Sequence, residues 1–144
     1  MARVLGIDVG QRRIGLAVSD PTQTLARPLA TILVRGSGDA AARVRAEIDR
    51  LGLEEGGLAS IVVGRPSRLD GSPTHETAHV ESFIRALSAL TALPIIRVDE
   101  RLTSREAESR LAIRERDWRR RKHKLDAAAA AVILQDHLDQ ERGR

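Results

Sequence analysis

Apolar and polar positions at the start of the chain fall into two short runs. Val4, Leu5 and Ile7 fill the first, and Ile14, Leu16 and Val18 alternate with Gly15, Ala17 and Ser19 in the second. The glycine-containing polar link between them predicts a β-hairpin of Arg3–Val9 with Ile14–Ser19. Asp20-Pro21 ends the second strand, because a residue before proline favours extended or turn geometry. Leu29–Val34 predicts a third strand, stopped by Gly36-Ser37-Gly38. Asp39 is placed to cap a helix running to Leu51, with Ala41, Val44, Ile48 and Leu51 on one face and Gly52 at its end. Ser60–Gly64 is almost continuously apolar, the pattern of a strand buried on both faces. A loop over 65–72, with turn chemistry at Asp70-Gly71, leads to a helix that Ser72 caps and Pro73 opens. Val80, Phe83 or Ile84, Leu87 and Leu90 form its stripe. Ile95–Asp99 reads as the next strand. Thr103 and Glu106 form a capping box for a helix to Leu111, and an Ala-rich helix runs from Lys122 to Gln140.

Three opening strands followed by helix–strand–helix–strand–helix–helix predict an α/β fold, a mixed sheet with helices on both faces. No repeat or linker divides the chain, so residues 1–144 are expected to form one domain, long enough for a real core. The absence of cysteine excludes disulfides and thiolate metal sites. The N-terminus reaches polar residues at once, and no apolar run approaches membrane-spanning length. A cytoplasmic protein without a membrane partner is expected.

Charge is unevenly placed. The chain carries +4 in all, but residues 114–124 (RERDWRRRKHK) hold seven Lys or Arg against two acids. Such a run either solvates a surface or meets a polyanionic partner. Arg12 and Arg13 in the hairpin turn are further phosphate-contact candidates.

Asp8 breaks the pattern of the first strand. A carboxylate there is unfavourable and costly to bury unless a metal ion or a buried arginine accompanies it. Two other acids are placed to join it. Glu100 lies just past a strand end, where α/β sheets gather functional groups. Asp126 lies in the last helix, with the small Ala129 and Ala130 three and four residues on, which allow close helix–sheet packing. Each has a plain alternative: Glu100 as a surface acid, Asp126 as a helix-terminus acid complementing the dipole. His75, His79, His123 and His137 do not form a zinc pattern. Three carboxylates without thiolates favour hard cations, Mg²⁺ or Mn²⁺, and a pair of such ions would activate water against a phosphodiester.

Four stretches carry a resemblance: LGIDVGQRRIGLAVSD at 5–20, VVGRPSRLDGS at 62–72, VDERLTSREAE at 98–108 and KLDAAAAAVILQDHLD at 124–139. Their sequence and order resemble the YqgF/RuvX family, described as Holliday-junction resolvases and as pre-16S ribosomal RNA nucleases. The resemblance implies a ribonuclease-H-like fold with a five-stranded sheet in the order 3-2-1-4-5, strand 2 antiparallel. It implies that Asp8, Glu100 and Asp126 are the catalytic, metal-holding acids. It further implies a nuclease. The expected nucleic-acid contacts, read from turn position and local charge, are Arg12, Arg13, Arg101, Arg119, Arg120, Arg121, Lys122 and Lys124. The chain departs from the family at Arg65, usually leucine, at Arg68, near a usual asparagine, and in the arginine-rich 112–121 with its single tryptophan, Trp118. That ring either stacks on a base or anchors its segment.

The function expected is a metal-dependent endonuclease that processes the 5′ end of pre-16S ribosomal RNA. The alternatives are a resolvase of four-way DNA junctions and a non-catalytic RNA-binding assembly factor. Trimming one RNA end needs only a monomer, whereas cutting two strands of a junction favours a homodimer. Asp8-Val9-Gly10 also fits the phosphate hairpin of actin-like ATPases, but 144 residues leave no second lobe and no second phosphate motif is present.

Overall fold

The computed structural model describes residues 2–66, 72–99 and 118–143, with the backbone alone for 118–125. Strands β1 (Arg3–Val9), β2 (Arg13–Ser19), β3 (Ala26–Leu33), β4 (Leu58–Arg65) and β5 (Ile95–Asp99) form one sheet in the order β3-β2-β1-β4-β5. β2 is antiparallel to β1 and to β3, while β1, β4 and β5 run parallel. This is the order, with the antiparallel second strand, that the family resemblance implied. The helices are α1 (Ser37–Gly52), α2 (His75–Ser88) and α3 (Trp118–Arg142).

The strand alternation assigns each side chain to a layer. Leu5 and Ile7 of β1, Ile14 and Leu16 of β2, and Ile61 and Val63 of β4 pack with the apolar stripes of α1 and α2. The intervening Val4, Ala17 and Val62, with Val98 of β5, pack against Ala130, Ile133, Leu134 and Leu138 of α3. Helices therefore cover both faces, and β4 is buried on both sides as its apolar run required. Burial of the α1 stripe, Ala41, Val44, Ile48 and Leu51, likewise matches the sequence pattern.

Several boundaries differ from the sequence expectation. β3 starts at Ala26, before Pro28, because it is an edge strand. Its register against β2 shifts at Ala17 opposite Pro28, so the ladder slips where proline offers no N–H. Gln135 of α3 completes that edge, accepting from Ala26 N–H at 2.9 Å and donating to Thr24 carbonyl at 2.9 Å. Asp39 lies inside the first turn of α1 and not at its cap, and it reaches back to accept from Arg35 N–H at 2.8 Å. In α2 the cap is Thr74, not Ser72. Thr74 forms a reciprocal capping box with Thr77, whose hydroxyl also donates to the Pro66 carbonyl. Val80, Phe83, Ile84 and Leu87 are buried, whereas Leu90 lies past the helix end and is exposed. The expected helix at Thr103–Leu111 lies outside the described residues.

α3 begins at Trp118, four residues before the expected Lys122, so residues 118–124 of the basic run are helical. Arg and Lys are good helix formers, which lets the helix extend through them.

Arg65 and Arg97 both reach Glu81 of α2, at 3.5 and 2.8 Å. The departure from the family's usual leucine at 65 is thus accommodated by a helix carboxylate. The Arg97 hydrogen bonds chiefly, with the charges of both arginines, hold Glu81 below its ordinary pKa of 4.5. A carboxylate depressed on folding stabilises above its unfolded pKa, and that stability is lost as pH falls through the lower folded value. Glu81→Gln should therefore cost about 0.5–1 kcal/mol at pH 7, discounted for partial exposure, and nearly nothing in strong acid. Thermal melts of both proteins across pH 2–7 check this.

Candidate active site

The site forms where β1 ends, and two glycines explain how it is assembled. Gly6 and Asp8 follow Val4 on the α3 side of β1, and Gly15 lies directly opposite Asp8 in the β1–β2 ladder. Paired residues of an antiparallel ladder sit about 4.5–5.5 Å apart at Cα and share a face. A Cβ added to Gly15 would lie 1.9 Å from the Asp126 carbonyl oxygen and 2.9 Å from Ala127 N. The backbone of α3 at Asp126 thus rests on the residue paired with Asp8. Further along, a Cβ on Gly6 would meet Leu134 Cβ at 2.8 Å and Ala130 O at 3.1 Å. Two glycines from the hairpin and the alanines of α3 let helix and sheet approach to backbone distance. That approach brings Asp126 to the same corner as Asp8.

Both aspartates are half-buried. Asp126 sits two turns beyond Trp118, outside the first turn where the helix dipole acts, so the dipole explanation for an acid here fails. Its buried Oδ2 faces the Arg13 guanidinium at 3.9 Å, and both side chains keep about a quarter of their surface exposed. Arg13, a phosphate-contact candidate, neighbours this carboxylate. Arg12 stays exposed in the turn. The turn itself is fastened at three points. Gly10 N–H donates to Arg13 carbonyl at 2.8 Å, Val34 N–H donates to Arg12 carbonyl at 2.9 Å, and His79 Nε2 of α2 donates to Gly10 carbonyl at 3.2 Å. The histidine that showed no ligand pattern in the sequence therefore steadies the loop beside the acids.

A cleft of about 290 Å³ opens here, lined by Gly10, Gln11, Arg12, Arg13 and Asp126. Asp20, by contrast, is a turn residue as its sequence context suggested. Its carboxylate accepts from Thr24 N–H at 2.8 Å, chiefly, and from Leu25 N–H at 3.2 Å, which lowers its pKa. Asp99 ends β5. Val98 before it packs on the α3 face, which turns Asp99 toward the opposite face from Asp8.

Glu100 and Arg101 lie outside the described residues, as do the side chains of Trp118, Arg119, Arg120, Arg121, Lys122 and Lys124. Among the described residues no group of three His, Cys, Asp or Glu is gathered. Asp8 and Asp126 offer hard oxygen donors suited to Mg²⁺ or Mn²⁺ and unsuited to a thiophilic metal.

A family model described as Holliday junction resolvase, RuvX, matches residues 2–140. The chain belongs to the RuvX family. A relative from Roseiflexus sp. (strain RS-1), named "Putative pre-16S rRNA nuclease", is 38% identical over 140 residues, covering 97% of this chain and 96% of its own. One of the same name from Chloroflexus aggregans (strain MD-66 / DSM 9485) is 40% identical over 139 residues, covering 96% and 94%. Among solved structures, T. thermophilus RuvC in complex with a Holliday junction superposes with a TM-score of 0.62 at 20% identity, covering 99% of this chain and 97% of that one. Fowlpox virus resolvase with junction DNA gives 0.58 at 9% identity, covering 96% and 98%. At such identities the two structures show that this RuvX chain has the resolvase, ribonuclease-H-like fold. No described helix is long and apolar enough to cross a membrane.

Proposed function

We propose that this protein is an endonuclease that hydrolyses phosphodiester bonds in structured nucleic acid, with the precursor of 16S ribosomal RNA as its substrate. The observation that carries the reading is the seating of Asp126 on Gly15, the cross-strand partner of Asp8. That contact has no need of an aspartate on the helix, yet it brings a second carboxylate to the one already in the strand. Membership of the RuvX family and relatives named for pre-16S rRNA support the substrate.

In this reading Asp8, Glu100 and Asp126 hold one or two Mg²⁺ or Mn²⁺ ions. When bound, these supply a water of lowered pKa and charge stabilisation for the leaving oxygen. Asp8 is fixed by the β1–β2 ladder and Asp126 by the α3 backbone, so neither carboxylate needs reordering when substrate arrives. Arg12 in the fastened turn faces the phosphate. Arg101, Arg119, Arg120, Arg121, Lys122 and Lys124 add attraction to the rest of the polyanion. Arg13 balances Asp126 and limits its mobility.

The test is cleavage of an end-labelled precursor RNA and of a four-way DNA junction, each with Mg²⁺, Mn²⁺ or chelator. The junction is included because the family is described by it. Metal-dependent cuts in the RNA, with the junction slower, are expected. Preferential symmetric cutting of the junction would assign resolution instead. Binding to RNA without cleavage under any ion would leave an assembly factor.

A further inference from the structure

A second concavity, of about 720 Å³, opens beside the cleft at Asp126 and is lined by Gln11, Arg12, Leu33, Val34, Arg35, Gly36 and Arg43. Gln11 and Arg12 also line the cleft that contains Asp126, so the two hollows meet across the hairpin turn. The turn that separates them is held rigidly by the Val34-to-Arg12 and Gly10-to-Arg13 hydrogen bonds. Three arginines project around the larger hollow, all on exposed positions. Arg12 and Arg35 form no ion pair among the described residues, whereas Arg43 is held at 3.1 Å by Asp39. The Arg35 N–H, first, and the Arg43 guanidinium keep Asp39 below the ordinary carboxylate range, so it is ionised at neutral pH. The hollow retains an excess of positive charge, with one acid, Asp39, paired to the Arg43 of its wall.

Val34 is buried in the core, whereas Arg12, Arg35 and Arg43 around it are exposed. Exposed like charges in a concave wall repel one another and focus a field that attracts an anion. The hollow is also continuous with a proposed phosphodiester-cutting centre, and successive phosphates of one strand are the anions that such continuity suits.

We infer that Arg12, Arg35 and Arg43 form a track for the sugar–phosphate backbone, leading the strand from the Asp8–Asp126 corner over the hairpin turn to the start of α1. The inference rests on the nuclease reading and extends it by assigning Arg35 and Arg43 to the substrate path. The strand is recognised through phosphates, so the track grips RNA and DNA by the same chemistry, and sequence is not read there.

The test is equilibrium binding in chelator, so that no strand is cut, using a fluorescent precursor RNA and a fluorescent four-way DNA junction over 50–300 mM KCl. Wild type is compared with R35Q/R43Q and with Asp39→Asn. Every phosphate left without its arginine should reduce the slope of log affinity against log salt by about 0.7–0.9, so the double variant should flatten it by roughly 1.4–1.8 and bind more weakly. Asp39→Asn keeps a carbonyl oxygen for Arg35 N–H and removes the opposing charge, so binding should tighten, about two- to fivefold. A gain in affinity does not arise from misfolding, which keeps the two variants informative together. RNA and junction arms that respond alike assign the track to phosphate, and an effect on one arm alone overturns the shared-phosphate reading. Unchanged affinity and slope in both variants would overturn the track while leaving the nuclease reading intact. Wild type that binds neither nucleic acid would overturn both.

Discussion

Asp8→Asn is expected to lower single-turnover cleavage by about 10³-fold or more, equivalent to about 4 kcal/mol of barrier. The substitution keeps volume and removes charge, and Asp8 is a half-buried strand residue whose backbone hydrogen bonds remain in the β1–β2 ladder. Folding should therefore survive. The Tm is expected to stay within a few degrees of wild type, since volume and backbone pairing are unchanged. Stability at undiminished fold with lost activity is the signature of a functional acid. A variant that loses activity only because it unfolds would show a lowered Tm in the same preparation, and thermal melts beside the cleavage assay separate the two.

Gly15→Ala is expected to damage both stability and activity. The new methyl would have to occupy space 1.9 Å from the Asp126 carbonyl, and that neighbour is helix backbone, which cannot rotate aside. α3 must lift from the sheet at Asp126. Overpacking of this kind costs about 1–3 kcal/mol, or roughly 2–12 °C in Tm for a chain of this length. Displacing one carboxylate by about an ångström costs on the order of 10²-fold in rate. Gly6→Ala makes the informative comparison. It meets the same helix at Ala130 and Leu134, one and two turns from Asp126, so it should also cost stability but far less activity. Melting curves and saturating single-turnover rates for both variants give the contrast. Equal losses of activity at equal losses of stability would mean that the helix is only a cover.

Much of this architecture was legible in the sequence because it follows from local pattern. The hairpin, β4 and β5 appear where alternation and apolar runs place them, since burial on one or two faces dictates those patterns. The misplaced boundaries have several causes, one long-range and others local. Ala26 joins β3 because Gln135, over a hundred residues away, satisfies its N–H. Thr74 caps α2 because Thr77 answers it and also reaches Pro66. Asp8 stood out as an acid in a strand, but its approach to Asp126 was not readable from spacing. The deciding residue, Gly15, looks in the sequence like an ordinary small residue of an alternating strand. Only the register pairs it with Asp8, and only the helix position places it under Asp126. Arg13 and Arg12 looked equivalent as turn arginines; strand parity turns Arg13 to the α3 face and Asp126, while Arg12 remains exposed. Arg35 and Arg43 gave no signal at all, because a cavity wall is assembled from a strand end and a helix face that the sequence separates.

The central claim is that Asp8 and Asp126 act as one centre. The most direct measurement is the cleavage rate of precursor RNA by Asp8→Asn, Asp126→Asn and the double variant, at saturating substrate and 10 mM Mn²⁺, with folding checked by melting. Groups that work as a unit are non-additive. The account predicts that each single variant loses about 10³-fold and that the double variant is no slower than the worse single one. An Asp126→Asn enzyme cutting at the wild-type rate, or a double variant whose loss is the product of the two single losses, would contradict it.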